Sequence, residues 1–204
     1  MKTNFLYLTI ALTIIVSGLS AQETKAPRIH QAGIQFSSLN SFGVHYKTGN
    51  EKTLFRVSLV SLNTLISKTW GKPQDSIEIK TNYYGAGFSV GFEKQVRLVS
   101  DFAFRWGFDA GCNYMYQKNI NSESAGMESS NWSVNPGIYL ILGVSYTLKD
   151  HFVFGAEIAP GISYTFAKQK IFINDNTIEF TGNSFNFGLN SNSASLSVAY
   201  RFGK

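Results

Sequence analysis

From Phe102 to Tyr116 every second residue is aromatic or apolar: Phe102, Phe104, Trp106, Phe108, Ala110, Cys112, Tyr114 and Tyr116. Ala103, Arg105, Gly107, Asp109, Gly111 and Asn113 lie between them. A period of two belongs to a β-strand, whose successive side chains point to opposite faces. A helix would instead repeat its apolar face every 3.6 residues. One face of this strand is large and apolar, and the other is small, polar or charged. The same division returns in 132–148, where Val134, Pro136, Ile138, Leu140, Leu142, Val144 and Tyr146 share one parity. It returns again in 151–167, with Phe152, Phe154, Ala156, Ile158, Ile162, Tyr164 and Phe166. No helical period of any length follows residue 30.

Composition says what the apolar face meets. Charged residues make up 15% and aromatics 15% of the chain, against roughly 25% charged in a soluble domain. A soluble protein so poor in charge and so rich in outward aromatics would aggregate, whereas a lipid-facing wall would not. The net charge of +5 is modest and its Lys and Arg residues are scattered. They form no basic stripe for nucleic acid. The single Cys112 excludes an intrachain disulfide and falls on the apolar face, where it acts as a small hydrophobe.

The first 21 residues read as a secretory leader. Lys2 supplies the positive end, Phe5 to Val16 is an uncharged run of twelve, and small residues lead to Ala21. That run is too short for a spanning helix, which needs about 20 residues. Cleavage after Ala21 leaves a short segment, 22–29, and one domain, 30–204. No Cys stands at the cut to carry a lipid anchor.

Connections give the topology. Gly49 to Lys52, Glu93 to Arg97 and Lys149 to His151 are short, while 64–77, 118–131 and 168–183 are long, and the two kinds alternate. Short periplasmic turns and long outer loops alternate in this way in membrane barrels. An even strand count requires 31–47 to split at Ser38-Leu39-Asn40. It also requires 184–202 to be one strand, with a bulge between Leu189 and Leu196 where the apolar parity shifts. The fold expected is all-β, an eight-stranded antiparallel up-and-down transmembrane barrel. Tyr84, Tyr114, Tyr116, Trp132, Tyr164 and Phe166 then lie near the outer rim. Tyr46, Phe92, Phe102, Tyr146, Phe152, Tyr200 and Phe202 lie near the inner rim, with a mostly aliphatic belt between. Glycines such as Gly91, Gly107, Gly143 and Gly155 take the inward parity, where a narrow barrel has least room. Gly85-Ala86-Gly87 lies inside a strand with no helix after it, which argues against a phosphate loop.

The last strand, SLSVAYRF, carries Leu196, Val198, Tyr200 and Phe202 on one face. With PGISY at 160–164 and FGVHYKTG at 42–49, the mature chain resembles the outer-membrane-protein β-barrel domain family, the small OmpA/OmpX-like barrels of Gram-negative bacteria. Gly203 and Lys204 depart from the family pattern by following the terminal aromatic. The resemblance implies outer-membrane residence among outer-membrane lipids and assembly by the barrel insertion machinery. It also implies that Leu196, Val198, Tyr200 and Phe202 act as the C-terminal assembly signal. No shared activity follows from it.

Inward charges are the candidate site: Arg56, Arg105, Asp109, Glu157 and Arg201. Buried charge must pair or reach water. One reading is a structural ion-pair network that plugs the barrel, leaving a structural or surface-interaction role. The alternative is a narrow porin-like channel or lipophile conduit, in which three Arg against two carboxylates would slightly favour anions. An outer-membrane lipid hydrolase is disfavoured, because His30, His45 and His151 all fall toward the inner side, away from the outer leaflet. No His spacing suits a metal, and no cofactor motif is present. Asn131-Trp132-Ser133 fits a glycosylation sequon but marks a strand edge. Residues 170–180 read as a β-hairpin, either an extension of two barrel strands or an exposed edge for an extracellular partner. A lipocalin-like barrel would place aromatics inside and glycines outside, and the girdle pattern argues against it. The protein is expected to be a monomer.

Overall fold

The alternating segments form strands throughout a computed structural model that describes residues 28–38, 41–60, 65–69, 79–121, 128–173, 176–189 and 193–203. The leader (1–21) and most of the segment 22–29 lie outside the described residues. Eleven strand segments follow one another: β1 (Ile29–Ser38), β2 (Ser41–Gly49), β3 (Thr53–Val60), β4 (Leu65–Thr69), β5 (Ile79–Arg97), β6 (Phe102–Asn121), β7 (Glu128–Leu148), β8 (Phe152–Ile158), β9 (Gly161–Ile173), β10 (Asn176–Gly188) and β11 (Ala194–Phe202). All pairings are antiparallel.

The segments make eight strands. β3 and β4 both pair with β5, and β8 and β9 both pair with β7. β10 lies on β9 as β11 lies on β8. Pairing of β1 with β11 closes the wall. From Ala32, paired residues run through Tyr46, Val57, Val90 and Ala110 to Ile138. The other way they run through Tyr200 and Phe152 to Leu148. The circuit therefore returns ten residues along β7, a stagger that tilts the strands by roughly 40°.

Each interruption has a local cause. Pro160, between β8 and β9, lacks an N–H. Its carbonyl still accepts the Leu140 N–H at 2.8 Å, so the strand resumes with parity unchanged. Between β10 and β11 the outward parity moves from Phe185 and Phe187 to Leu196 and Val198, the expected shift, although 190–192 lie outside the described residues. The expected split of 31–47 falls between Ser38 and Ser41; Leu39 and Asn40 are outside the described residues. The Asn50 side-chain oxygen accepts the N–H groups of Lys52 and Thr53, closing the β2–β3 turn. Three residues, 149–151, connect β7 to β8; Lys149 and Asp150 have φ of 50° and 61°, the positive values of a type I′ turn, which the His151 N–H closes on the Leu148 carbonyl at 3.2 Å.

Three expectations change. The second short turn is Leu98–Asp101, not Glu93–Arg97, because β5 runs to Arg97. The charges of that stretch suggested a turn. Glu93 instead points inward and is neutralised there, while Lys94 lies over the Trp106 ring outside. The long connections are also shorter than read. Strand continues to Asn121 and from Glu128, and 168–183 is almost wholly a β9–β10 hairpin. β4 occupies part of 64–77, of which 70–77 lie outside the described residues. Finally, the belt is less aliphatic than expected. Phe92 packs on Phe108, with ring centroids 6.2 Å apart, between the girdles rather than at the inner rim.

The outward face is otherwise apolar. Ile34, Phe88, Ile138, Val198 and many others stand at least two-fifths exposed, far more apolar surface than a soluble monomer presents. Tyr84, Tyr116 and Trp132 are neighbours in register at one end. At the turn end, Phe102 meets Tyr146, Phe152 meets Tyr200, and His30 lies between Tyr46 and Phe202.

A buried ion cluster as the candidate functional site

The interior of an eight-stranded barrel is just wide enough for side chains to fill it. Here five of the six charged residues of the lumen face a glycine across one of their two ladders. Arg56 and Asp109 both pair with Gly91, Glu93 pairs with Gly107, and Arg105 and Glu157 both pair with Gly143. Alternation of long and absent side chains at one level lets six ionic groups share the lumen.

Arg56 is the hub. Its guanidinium donates to Glu157 twice, at 3.0 and 3.2 Å, and to Glu93 at 3.3 Å. Its Nε lies 3.1 Å from Asp109 Oδ2. Lys47 Nζ donates to Glu93 at 2.8 Å. Arg105 lies 3.6 Å from Glu93 and 3.7 Å from Glu157, and donates to the Val144 carbonyl at 3.4 Å. Gln35 donates to Glu157 and to Ser195, Gln95 donates to Glu93, and Ser89 donates to Asp109. These contacts reach all eight strands. Three cations face three carboxylates, and each is at least nine-tenths buried. Gly155 makes space for the arginine: a methyl group there would lie 2.6 Å from Arg105 Nη2.

Of the five inward charges expected, the structure brings Arg56, Arg105, Asp109 and Glu157 together. Arg201 stands apart from them. It pairs in register with Gln31 at the turn end and lines a small cavity of about 60 Å³ with Glu51, Arg97 and Asp150. The inward position of Ala199 separates it from Ser197, which pairs with Gly155, so its guanidinium serves the mouth rather than the cluster. Lys47 and Glu93 were not among the expected residues. Inward parity could have found both, but each sits close to a charged stretch that resembled a turn. With them the cluster is balanced, which removes the reason for expecting anion preference. His45 is buried beside the cluster, with its Nδ1 unpartnered, and does not hydrogen-bond Ser58, its cross-strand neighbour.

No protein-family model matches the chain, and no curated protein matches its sequence. Solved structures do resemble it. A major outer membrane protein of Thermus thermophilus superposes with a TM-score of 0.52 at 10% identity, over 86% of this chain and 99% of that one. The N-terminal β-barrel domain of Pseudomonas aeruginosa OprF gives 0.40 at 13% identity, over 88% and 100%. Ail, the attachment invasion locus protein of Yersinia pestis, gives 0.41 at 12% identity, over 88% and 100%. The chain has the fold of the small outer-membrane barrels: a closed, antiparallel, eight-stranded wall.

Proposed function

We propose that this chain is an integral outer-membrane barrel whose interior is plugged by the ion cluster, with a structural or surface-interaction role. The observation that carries this reading is the charge-balanced network of Lys47, Arg56, Glu93, Arg105, Asp109 and Glu157, which with Gln35, Ser195 and the Val144 carbonyl ties all eight strands together across the lumen. The apolar outer face with aromatics toward both ends supports residence in a bilayer, and the secretory leader read from residues 1–21 of the sequence would direct the chain toward the outer membrane. The short turns would face the periplasm and the β9–β10 hairpin the exterior, where an extracellular partner could reach it. A monomer surrounded by outer-membrane lipids is the state this surface supports.

Assembly by the barrel insertion machinery would read Leu196, Val198, Tyr200 and Phe202. All four face outward on β11, and Phe202 stacks on His30 across the closing seam. A non-enzymatic role is supported by the histidines: His30 and His151 are held in aromatic stacks at the turn end, and His45 is buried in the lumen.

Fractionation of cells tests the location, and protease added to intact cells tests the orientation. Cleavage within 64–77, 118–131 or 168–183 is expected, and cleavage confined to the turns at 50–52, 98–101 and 149–151 would invert it. The second reading, a narrow channel or lipophile conduit, is favoured by one observation. A cavity of about 460 Å³ lies on one side of the cluster and the small cavity beside Arg201 lies toward the other end. Rearrangement of the cluster would be needed to join them, and conductance separates the two readings.

A further inference from the structure

The larger cavity forms a vestibule on the hairpin side of the cluster. Its floor is Arg56, Asp109 and Glu157, and among the described residues no other charged side chain lines it. Ser58, Ser89 and Ser163 supply hydroxyls, while Gln35, Asn113 and Asn135 supply amides. Tyr139 and Tyr83 add ring faces and phenol groups. Space for Tyr139 comes from a glycine: a methyl group on Gly137 would lie 2.8 Å from its hydroxyl. The wall around this vestibule is uneven. β1 and β2 have 10 and 9 residues, whereas β5, β6 and β7 have 19, 20 and 21. At about 3.3 Å per residue and a tilt of roughly 40°, the wall over β1 and β2 is lower by about 25 Å. Ser37, Ser41 and Gly43 at its edge line the cavity, which therefore has a low lip on that side.

We infer that this vestibule is a binding site for an uncharged, hydroxyl-rich small molecule of mono- or disaccharide size, entering from the hairpin side. Its volume lies within the range of about 300–1,000 Å³ typical of small-molecule pockets. The charge balance selects the ligand class. Both carboxylates of the floor, Asp109 and Glu157, are engaged by Arg56, and the cluster of six behind it is neutral, so a charged ligand meets no unpaired charge of opposite sign and would lose its hydration without return. Hydroxyl groups suit the lining, because Ser, Asn and Gln side chains both donate and accept. The tyrosine rings offer flat apolar surface to a sugar ring.

The site takes its floor from the plugged reading, and the two are tested by different signals: amide shifts for binding and current for the plug. The refolded full barrel in detergent micelles would be titrated with maltose, spermidine or glucose 6-phosphate and followed by NMR. Maltose should produce saturable shifts at Ser58, Asn113, Asn135 and Tyr139, with both charged probes weaker. Tyr139→Ala should weaken maltose by at least about tenfold, or 1.4 kcal/mol. Asn135→Ala, which leaves the ring in place, should weaken it less. Absence of saturable shifts with maltose, tighter binding of either charged probe, or full affinity in both variants would overturn the assignment.

Discussion

Glu157→Gln removes one negative charge from the centre of the barrel while keeping the shape of the side chain. In the wild type this carboxylate takes two hydrogen bonds from Arg56, one from Gln35, and faces Arg105 at 3.7 Å. After the change, Arg56 retains Glu93 and Asp109, but Arg105 retains a single carboxylate, Glu93 at 3.6 Å, beside the Val144 carbonyl. Three cations then face two carboxylates inside the wall. Removing one partner of a buried pair typically costs about 3–5 kcal/mol, mostly from the charge left behind. With a urea slope of about 2 kcal/mol per molar, the unfolding midpoint should fall by about 2 M. The assay is reversible urea unfolding of the refolded barrel, followed by tryptophan fluorescence, with strand content checked by circular dichroism. A loss below about 1 kcal/mol would mean that water already hydrates these charges. The idea of a dry, mutually neutralising cluster would then be wrong.

Other outcomes follow from the same geometry. Glu93→Gln should destabilise at least as much as Glu157→Gln, since Glu93 is fully buried and meets Lys47, Arg56 and Arg105; a smaller loss in the same urea experiment would contradict its place in the cluster. Gly155→Ala should cost about 1–3 kcal/mol by crowding the Arg105 guanidinium. A methyl group there would also meet Ser197 Oγ at 2.5 Å, so only the Arg105 share of the cost should vanish in an Arg105→Ala background, and simple additivity would refute the contact. Phe202→Ala should lower the amount of folded protein in the outer membrane, seen as a weaker heat-modifiable band, and unchanged levels would move the assembly signal elsewhere. Hydrogen bonds from Lys168 and Lys170 hold the Glu179 carboxyl down at about 2. A lowered carboxylate contributes stability that is fully present above its ordinary range and is lost progressively as pH falls from about 4.5 through about 2. Glu179 should therefore stay ionised at pH values near 3 in a carboxyl-carbon NMR titration, and a midpoint near the ordinary 4.5 would count against the clasp.

The strand alternation made the barrel legible, because the period of two holds wherever one face is apolar. Inward parity also marked Arg56, Arg105, Asp109 and Glu157, since a charge on the face opposite Phe102 or Phe154 has nowhere else to point. Glu93 was hidden by its neighbours. Glu93, Lys94 and Arg97 look like a solvated turn until the inward carboxylate is seen against Lys47, and the outward lysine over Trp106. The turn itself uses Leu98 and Val99, which are exposed and carry no turn signal of their own. Arg201 shows the opposite failure. Its parity was right, but parity gives no height, and only the register with Gln31 puts it at the mouth. The uneven wall was likewise beyond a reading by periodicity, because it depends on how far each ladder continues past the rim.

Planar-bilayer recording of the purified, refolded barrel tests the central claim most directly. A lumen closed by six mutually paired ionic groups should give no stable conductance at any applied voltage, and Glu157→Gln should not open one while the fold persists. Steady ohmic channels from the wild type, with an ion selectivity that Glu157→Gln alters, would contradict the plug and make the cluster the selectivity element of a pore.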